Sequence, residues 1–438
     1  MVKKYVRLIE KGTQHIKAFG MRSFIKKTSR RVLLKLLNRV PDEHKVVPPV
    51  INFEQQDWYY RRFPNLKPLK VFTVPSSGTR LNLVTDSING GSLYGGVGTA
   101  IIFCTLLAQR LGCQLRVITR TEKAQSQNFF EILKSNKILY KDDVEFILND
   151  IFSTSSELDV SQDDLFVTTS WWTTHATLQS VSTQQVIYLL QEDERMFYPY
   201  GDEHLLCSSV LVHPEIKFVV NTELLFNYLV DQGFENIRKN GVWFEPSFSS
   251  YEACSALEDS PKLKRKFFFY ARPNNLRNLF YLGLEAIETA VSIGVLNPDE
   301  WDIFFVGKDL SALKLPEKLR IHLLEGLGWS EYVKFLRSVD VGLCLMYTPH
   351  PSYPPLDLAA SGSIAVTNQF GPKQNLWKYS KNIICKEANV KSLVQGIAEG
   401  IELSTNQQKR MENYENNKML KNWESSFSHV LETLEVIR

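Results

Sequence analysis

The stretch Tyr270-Ala-Arg-Pro-Asn-Asn-Leu-Arg-Asn-Leu-Phe280 lies between an apolar run, Phe267 to Tyr270, and a helix-like pattern from Leu279 through Ala290. A strand that turns directly into a helix is the repeating unit of open parallel sheets, and anionic ligands collect at that junction. Two arginines, Arg272 and Arg277, stand there. A guanidinium stays charged and donates paired hydrogen bonds, which suits a phosphate clamp. Taken alone, these residues leave two readings open: a grip on a diphosphate, or two surface arginines capping a loop.

Working outward, the same alternation recurs on both sides. Leu81–Thr85 reads as a strand, Gly90-Gly-Ser-Leu-Tyr-Gly-Gly-Val-Gly98 as a glycine-rich turn, 99–111 as a helix closed by Gly112, and Leu115–Thr119 as a second strand. Further strands are expected at 144–148, 165–169, 185–190 and 217–221. After a polar and charged stretch, 249–266, strands return at 266–270, 301–307, 341–346 and 364–368, with helices over 276–293, within 330–337 and from near Pro355. Strands separated by helix-length segments predict parallel sheets covered on both faces. The fold class is therefore α/β, with two Rossmann-like halves in tandem. Domain limits are expected at 1–50 (basic arm and linker), 51–255 (first half) and 256–438 (second half with a helical tail).

A chain of 438 residues has room for these parts, and a net charge of +3 gives no reason to expect a nucleic-acid partner. Six dispersed cysteines without a C-x-x-C pair read as buried thiols of a reducing compartment. Neither a membrane span nor a signal peptide is recognisable, so the expected location is cytoplasmic. Residues 1–40 carry twelve lysines and arginines against one acid, Glu10, with apolar residues at near-helical spacing. Such an arm either lies on an anionic membrane surface or packs its apolar stripe on the protein.

Three stretches carry candidate chemistry. Glycines in 90–98 allow close backbone approach to a ligand, and the following helix offers free amides; the spacing matches neither a P-loop nor G-x-G-x-x-G. The loop Tyr347-Thr-Pro-His-Pro-Ser-Tyr-Pro-Pro355 leads into a helix with Asp357 in its first turn, where the carboxylate either complements the helix end or accepts hydroxyl protons from a sugar. Ser170-Trp-Trp-Thr-Thr-His175 and Gln191-Glu-Asp-Glu-Arg195 follow strand ends and form either a saccharide platform or a core pair beside a solvated turn. No metal-ligand spacing and no D-x-D element follow a strand.

The order of these pieces resembles GT-B glycosyltransferases of the family 4 type. Ala271-Arg272 resembles that family's G-R pair, Arg277 stands where its lysine would be, Val306-Gly307-Lys308 resembles the V-G strand end, and Asp357-Leu-Ala-Ala-Ser-Gly362 matches the second half of E-x7-E. Within the superfamily, Asn82-Leu-Val-Thr-Asp-Ser87, Tyr270–Asn274 and Pro351-Ser-Tyr-Pro-Pro355 look most like the WsaF type of bacterial rhamnosyltransferase. Two positions depart from the pattern. Pro349 stands where the first glutamate belongs, and the second acid is shortened to Asp357.

The resemblance implies retaining, metal-independent transfer of rhamnose from dTDP-β-L-rhamnose to a growing surface polysaccharide, on a lipid-linked or oligosaccharide acceptor and with no cofactor. It implies Arg272 and Arg277 as the catalytic clamp on the leaving diphosphate. Gly95, Gly96, Gly98, Lys308, Ser352, Tyr353 and Asp357 are then expected around the donor, and Asp86, Tyr94, Trp171, Trp172, His175 and Glu192 around the acceptor. A glycan-binding protein that kept this fold without chemistry, or a sugar-nucleotide epimerase, are the alternatives.

Overall fold

The computed structural model describes residues 57–438 except 77, 90–92, 154, 250, 252–263, 311–313, 437 and 438; the side chains of 57, 93, 94 and 436 are also outside the description. Contacts divide the chain into Met1–Trp58 and Tyr59–Arg438. The arm and linker expected over 1–50 lie outside the described residues, and among those that are described no helix is long and apolar enough to cross a membrane.

Within Tyr59–Arg438 two sheets are built entirely from parallel pairs. The first runs β4 (Val144–Leu148), β3 (Gln114–Thr119), β2 (Arg80–Thr85), β6 (Leu165–Thr168), β7 (Val186–Leu190), β8 (Lys217–Asn221) and β9 (Gly241–Phe244). The second runs β12 (Ile321–Glu325), β11 (Trp301–Gly307), β10 (Arg265–Ala271), β13 (Val341–Leu343), β14 (Ile364–Asn368) and β15 (Ile383–Lys386). A small parallel pair, β1 (Val71–Thr73) with β5 (Leu158–Val160), flanks the first. Strand order reverses between β2 and β6, and again between β10 and β13. Those reversals open crevices at the carboxyl ends of the strands.

Central strands of a parallel sheet are covered on both faces, so they read as unbroken apolar runs. Phe267, Phe268 and Phe269 of β10 and all five residues of β7 are buried accordingly. Gly307 closes β11 because a Cβ there would stand 1.8 Å from the carbonyl oxygen of Ala271 on the neighbouring strand. The helix Gly98–Leu111 ends where Gly112 takes a left-handed φ of 59° and donates its N–H to the last turn.

Several details differ from the sequence reading. The helix expected from Leu276 starts at Phe280, because a 3-10 turn at Leu276–Asn278 ends on Leu279 with φ 47°. The sheet edges β12 and β15 were not expected; β12 is short and largely exposed, so it carries little apolar signal. Cys113 and Cys385 are half-buried rather than buried. The helical tail does not all stay with the second half. Its last helix, Trp423–Val436, returns to the first sheet's core, where Phe427 packs between Phe103 and Phe244 with ring centroids 5.1 and 4.5 Å away.

Trp423 Nε1 donates to Asn136 at 2.9 Å, and Phe248 N–H donates to the Leu420 carbonyl at 2.7 Å, so this return is tied by polar contacts as well. Phe427→Ala is expected to cost about 3–5 kcal/mol of folding stability, as for other buried phenylalanines, read by chemical denaturation. A loss under about 1 kcal/mol would place the helix outside the core.

Candidate active site

Between the carboxyl ends of the two sheets lies a cleft of about 620 Å³, within the range of ligand sites. The first half contributes Asp86 after β2, the stretch Gly95–Thr99, which is helical rather than the expected turn because Leu93–Val97 runs into the helix Gly98–Leu111, Ser170 and Trp172 after β6, and Gln191, Glu192 and Glu194 after β7. The second contributes Arg272, Arg277 and Asn278 after β10, Lys308 after β11, and Met346, His350, Ser352, Tyr353 and Asp357 after β13.

Arg277 is held from three sides. Its guanidinium carbon sits 3.9 Å from the centroid of the Phe197 ring, its Nη1 is 3.5 Å from Glu192 Oε2, and its carbonyl accepts the Tyr347 N–H at 2.8 Å. Burial lowers its pKa, an effect opposed by Glu192 and Glu194. Arg272 has a looser setting, with a 3.5 Å contact to the Tyr270 hydroxyl. The two cations therefore stand in one cleft, one braced and one freer.

Buried carboxyls face them. Glu192 accepts the Thr348 hydroxyl at 2.9 Å and the Asp193 N–H at 3.0 Å, and burial raises its pKa despite Arg277 nearby. Glu194 accepts the Trp171 N–H at 2.7 Å and is pushed up to about 8 by burial. Asp357, in the helix Tyr353–Ala360, takes the Tyr332 hydroxyl at 3.3 Å and is raised to about 7, again by burial. Lys373 lies fully buried beside the 346–350 loop and donates to the Met346 and His350 carbonyls at 2.7 and 3.3 Å.

Residues 80–223 match the model of the WsaF N-terminal domain, and residues 265–398 that of the WsaF C-terminal domain. The chain belongs to the WsaF family. A relative of this WsaF-family chain, the O-antigen biosynthesis protein RfbC of Myxococcus xanthus, is 29% identical over 239 residues, 51% of this chain. The match spans only 17% of that relative's own length. Among solved structures, Anabaena HepE in complex with UDP and glucose superposes with a TM-score of 0.57 at 12% identity, covering 81% of this chain and 99% of that one. TarM gives 0.54 at 9% identity, covering 83% and 99%. At such identities the likeness concerns the fold, which is GT-B.

Of the residues singled out in the sequence, Arg272, Arg277, Gly95, Gly96, Gly98, Lys308, Ser352, Tyr353, Asp357, Asp86, Trp172 and Glu192 all line the cleft of the WsaF-family fold. Trp171 does not. It is buried with Tyr188, Cys207 and Leu211, and its Nε1 donates to the Tyr198 hydroxyl at 3.0 Å. His175, one turn further along the same helix face, is also absent from the lining, and burial lowers its pKa. Trp172 points the other way and donates to Asp86 at 2.7 Å. Neighbours on a helix are about 100° apart, so one tryptophan of the pair faces the core when the other faces the cleft. The side chain of Tyr94 lies outside the described residues.

One expected donor residue and one expected acceptor residue have partners within the protein. The Tyr353 hydroxyl is engaged across the cleft by Thr99 at 2.7 Å and Asn221 at 3.0 Å. Glu192, expected at the acceptor, reaches instead to Thr348, one residue before the Pro349 that replaces the family's first glutamate. Gln191, Glu194, Asn278 and His350 lie in stretches the sequence singled out without being assigned a role themselves, whereas Lys373 follows no motif and was missed.

An unfolded chain ionises Asp357 near its ordinary 3.8, whereas the fold keeps the proton up to about 7. Stability from this group is present below pH 4 and is lost as pH rises through 7, by an amount on the order of a few kcal/mol. Asp357→Asn is expected to become more stable relative to wild type between pH 4 and 8, measured by urea unfolding. A pH-independent difference would show that the carboxyl ionises normally in the fold.

Proposed function

We propose that this chain transfers rhamnose from dTDP-β-L-rhamnose to a growing bacterial cell-surface glycan. The observation that carries the reading is the convergence of Arg272 and Arg277 on a cleft between two sheet switch points, opposite the helical turn Leu93–Val97 that runs into the helix Gly98–Leu111. Breaking a bond between sugar and diphosphate leaves negative charge on the phosphate oxygens, and fixed cations with helix-end amides stabilise that charge in a site shielded from water. The family membership, and the UDP and glucose bound in HepE and O-antigen biosynthesis in RfbC, support a nucleotide-sugar donor and a glycan product.

In this reading the acceptor oxygen enters on the face that the diphosphate leaves, so configuration is retained. The anomeric bond to the phosphate oxygen breaks, the bond to the acceptor oxygen forms, and the departing phosphate takes the acceptor's proton while the arginines hold its charge. No metal ion is required for that step. The shortened Asp357 suits a deoxyribose, which offers one hydroxyl fewer than ribose. Asp86 and Trp172 border the acceptor, which is lipid-linked or an oligosaccharide, and the basic residues 1–40 bring the protein to an anionic membrane face in the cytoplasm.

A thermal-shift screen of sugar nucleotides is expected to give the largest rise in melting temperature with dTDP-rhamnose, because a ligand that binds only the folded state stabilises it by mass action. A larger rise with a UDP-sugar would replace the assigned donor, and no rise with any would remove the transferase reading. Arg272→Ala and Arg277→Ala are each expected to lower kcat by roughly 10²–10³-fold, with the melting temperature of the free protein nearly unchanged for Arg272→Ala, which loses only the contact to Tyr270. Near-normal turnover in both would overturn the clamp.

A further inference from the structure

Among the buried polar atoms of cleft-lining residues that have no hydrogen-bond partner among the described residues are Nε2 of His350 and Oδ1 of Asn278. The residues are 4% and 1% exposed, so bulk water does not satisfy them, and an unpaired polar atom in such a place is costly unless a ligand completes it.

Each atom is fixed in direction by its partner on the same side chain. Ser352 donates its N–H to His350 Nδ1 at 3.0 Å, which makes Nδ1 the acceptor and leaves the proton of the neutral ring on Nε2. Ser352 holds a left-handed φ of 70° to do so, a conformation that costs a non-glycine residue energy and collects at functional sites. Burial, with Lys373 and Arg277 nearby, pushes the imidazole down to about 3 and keeps it neutral. Asn278 Nδ2 donates to the Leu345 carbonyl at 3.0 Å, which turns its Oδ1 away from that bond. Lys373, through the carbonyls of Met346 and His350, holds the loop that carries the imidazole.

A fixed donor and a fixed acceptor lining one cleft suit hydroxyl groups, which accept and donate at once. They suit a diphosphate less well, because ionised phosphate oxygens have no proton to offer Asn278 Oδ1, and the Glu192 carboxylate reaches the same loop through Thr348. We propose that His350 Nε2–H and Asn278 Oδ1 read hydroxyls of the transferred sugar, with His350 a specificity-determining residue that the sequence motif does not mark. This rests on the nucleotide-sugar reading above and concerns the sugar rather than the nucleotide.

The test compares dTDP with dTDP-β-L-rhamnose, or UDP with UDP-glucose if that donor binds, by calorimetry and turnover on the full chain. For His350→Phe the nucleotide should bind within about twofold of wild type, while donor binding or kcat/KM falls roughly 10–100-fold. His350→Gln, whose amide N–H can replace Nε2–H, should recover part of the loss. Equal losses for nucleotide and donor would assign the imidazole to the diphosphate and overturn the proposal, as would no loss. Should His350→Phe fail to fold, monodeoxy donors on wild-type protein carry the test: one analogue must lose a similar factor, and uniform turnover overturns it. Failure of wild-type protein to bind any sugar nucleotide would instead remove the underlying function.

Discussion

Parallel pairing is the constraint on which the rest of this molecule depends. Each ladder in the two sheets is parallel, so every strand delivers its carboxyl end to the same edge and every connection must cross back as a helix or long loop. Loops at that edge are the ones free to vary. Where strand order reverses, the connections leave in opposite directions and a crevice remains. The cleft takes Asp86 and Ser170 from one such reversal, and Arg272, Met346 and His350 from the other.

The cleft is acidic as well as basic, and the balance says what it prefers. Glu192, Glu194 and Asp357 are buried carboxyls with raised pKa values, while half-buried Arg277 and buried Lys373 are cations with lowered ones. Desolvation drives both shifts, toward the neutral form in each case. Glu192 and Arg277 moderate each other across the two halves. A ligand that brings negative charge to the arginines therefore competes with Glu192 for Arg277, and the contact between the halves is coupled to occupancy of the site.

How much of this was legible in the sequence depended on how local its cause was. Phe267–Phe269 announce a two-faced strand by themselves, and Arg272 and Arg277 follow it closely enough to be placed at its end. The glycines at 95–98 suggested a turn, yet the chain there is already helical, with Gly95 at a φ of 83°. Trp171 and Trp172 could not be separated, because which of two adjacent helical residues faces the cleft is set by the sheet the helix packs on. Glu192 was recognised as polar and near a strand end, but its reach to Thr348 needs both halves assembled. His350 and Asn278 become noticeable only once every other hydrogen bond has been assigned, which no spacing rule can do. The edge strand β12 was missed because its exposure removes the apolar run that betrays central strands, and β15 because it is only four residues long.

The return of Trp423–Val436 to the first sheet has a consequence for how the protein is made. A chain emerges from the ribosome from its first residue onward, and domains generally fold as they appear. Here the first half cannot close its core around Phe103 and Phe244 until Phe427 has been synthesised, after the whole second half. The half that appears first is therefore the one completed last. Until then it presents an apolar groove along the helix Gly98–Leu111, a surface that chaperones would have to guard during translation.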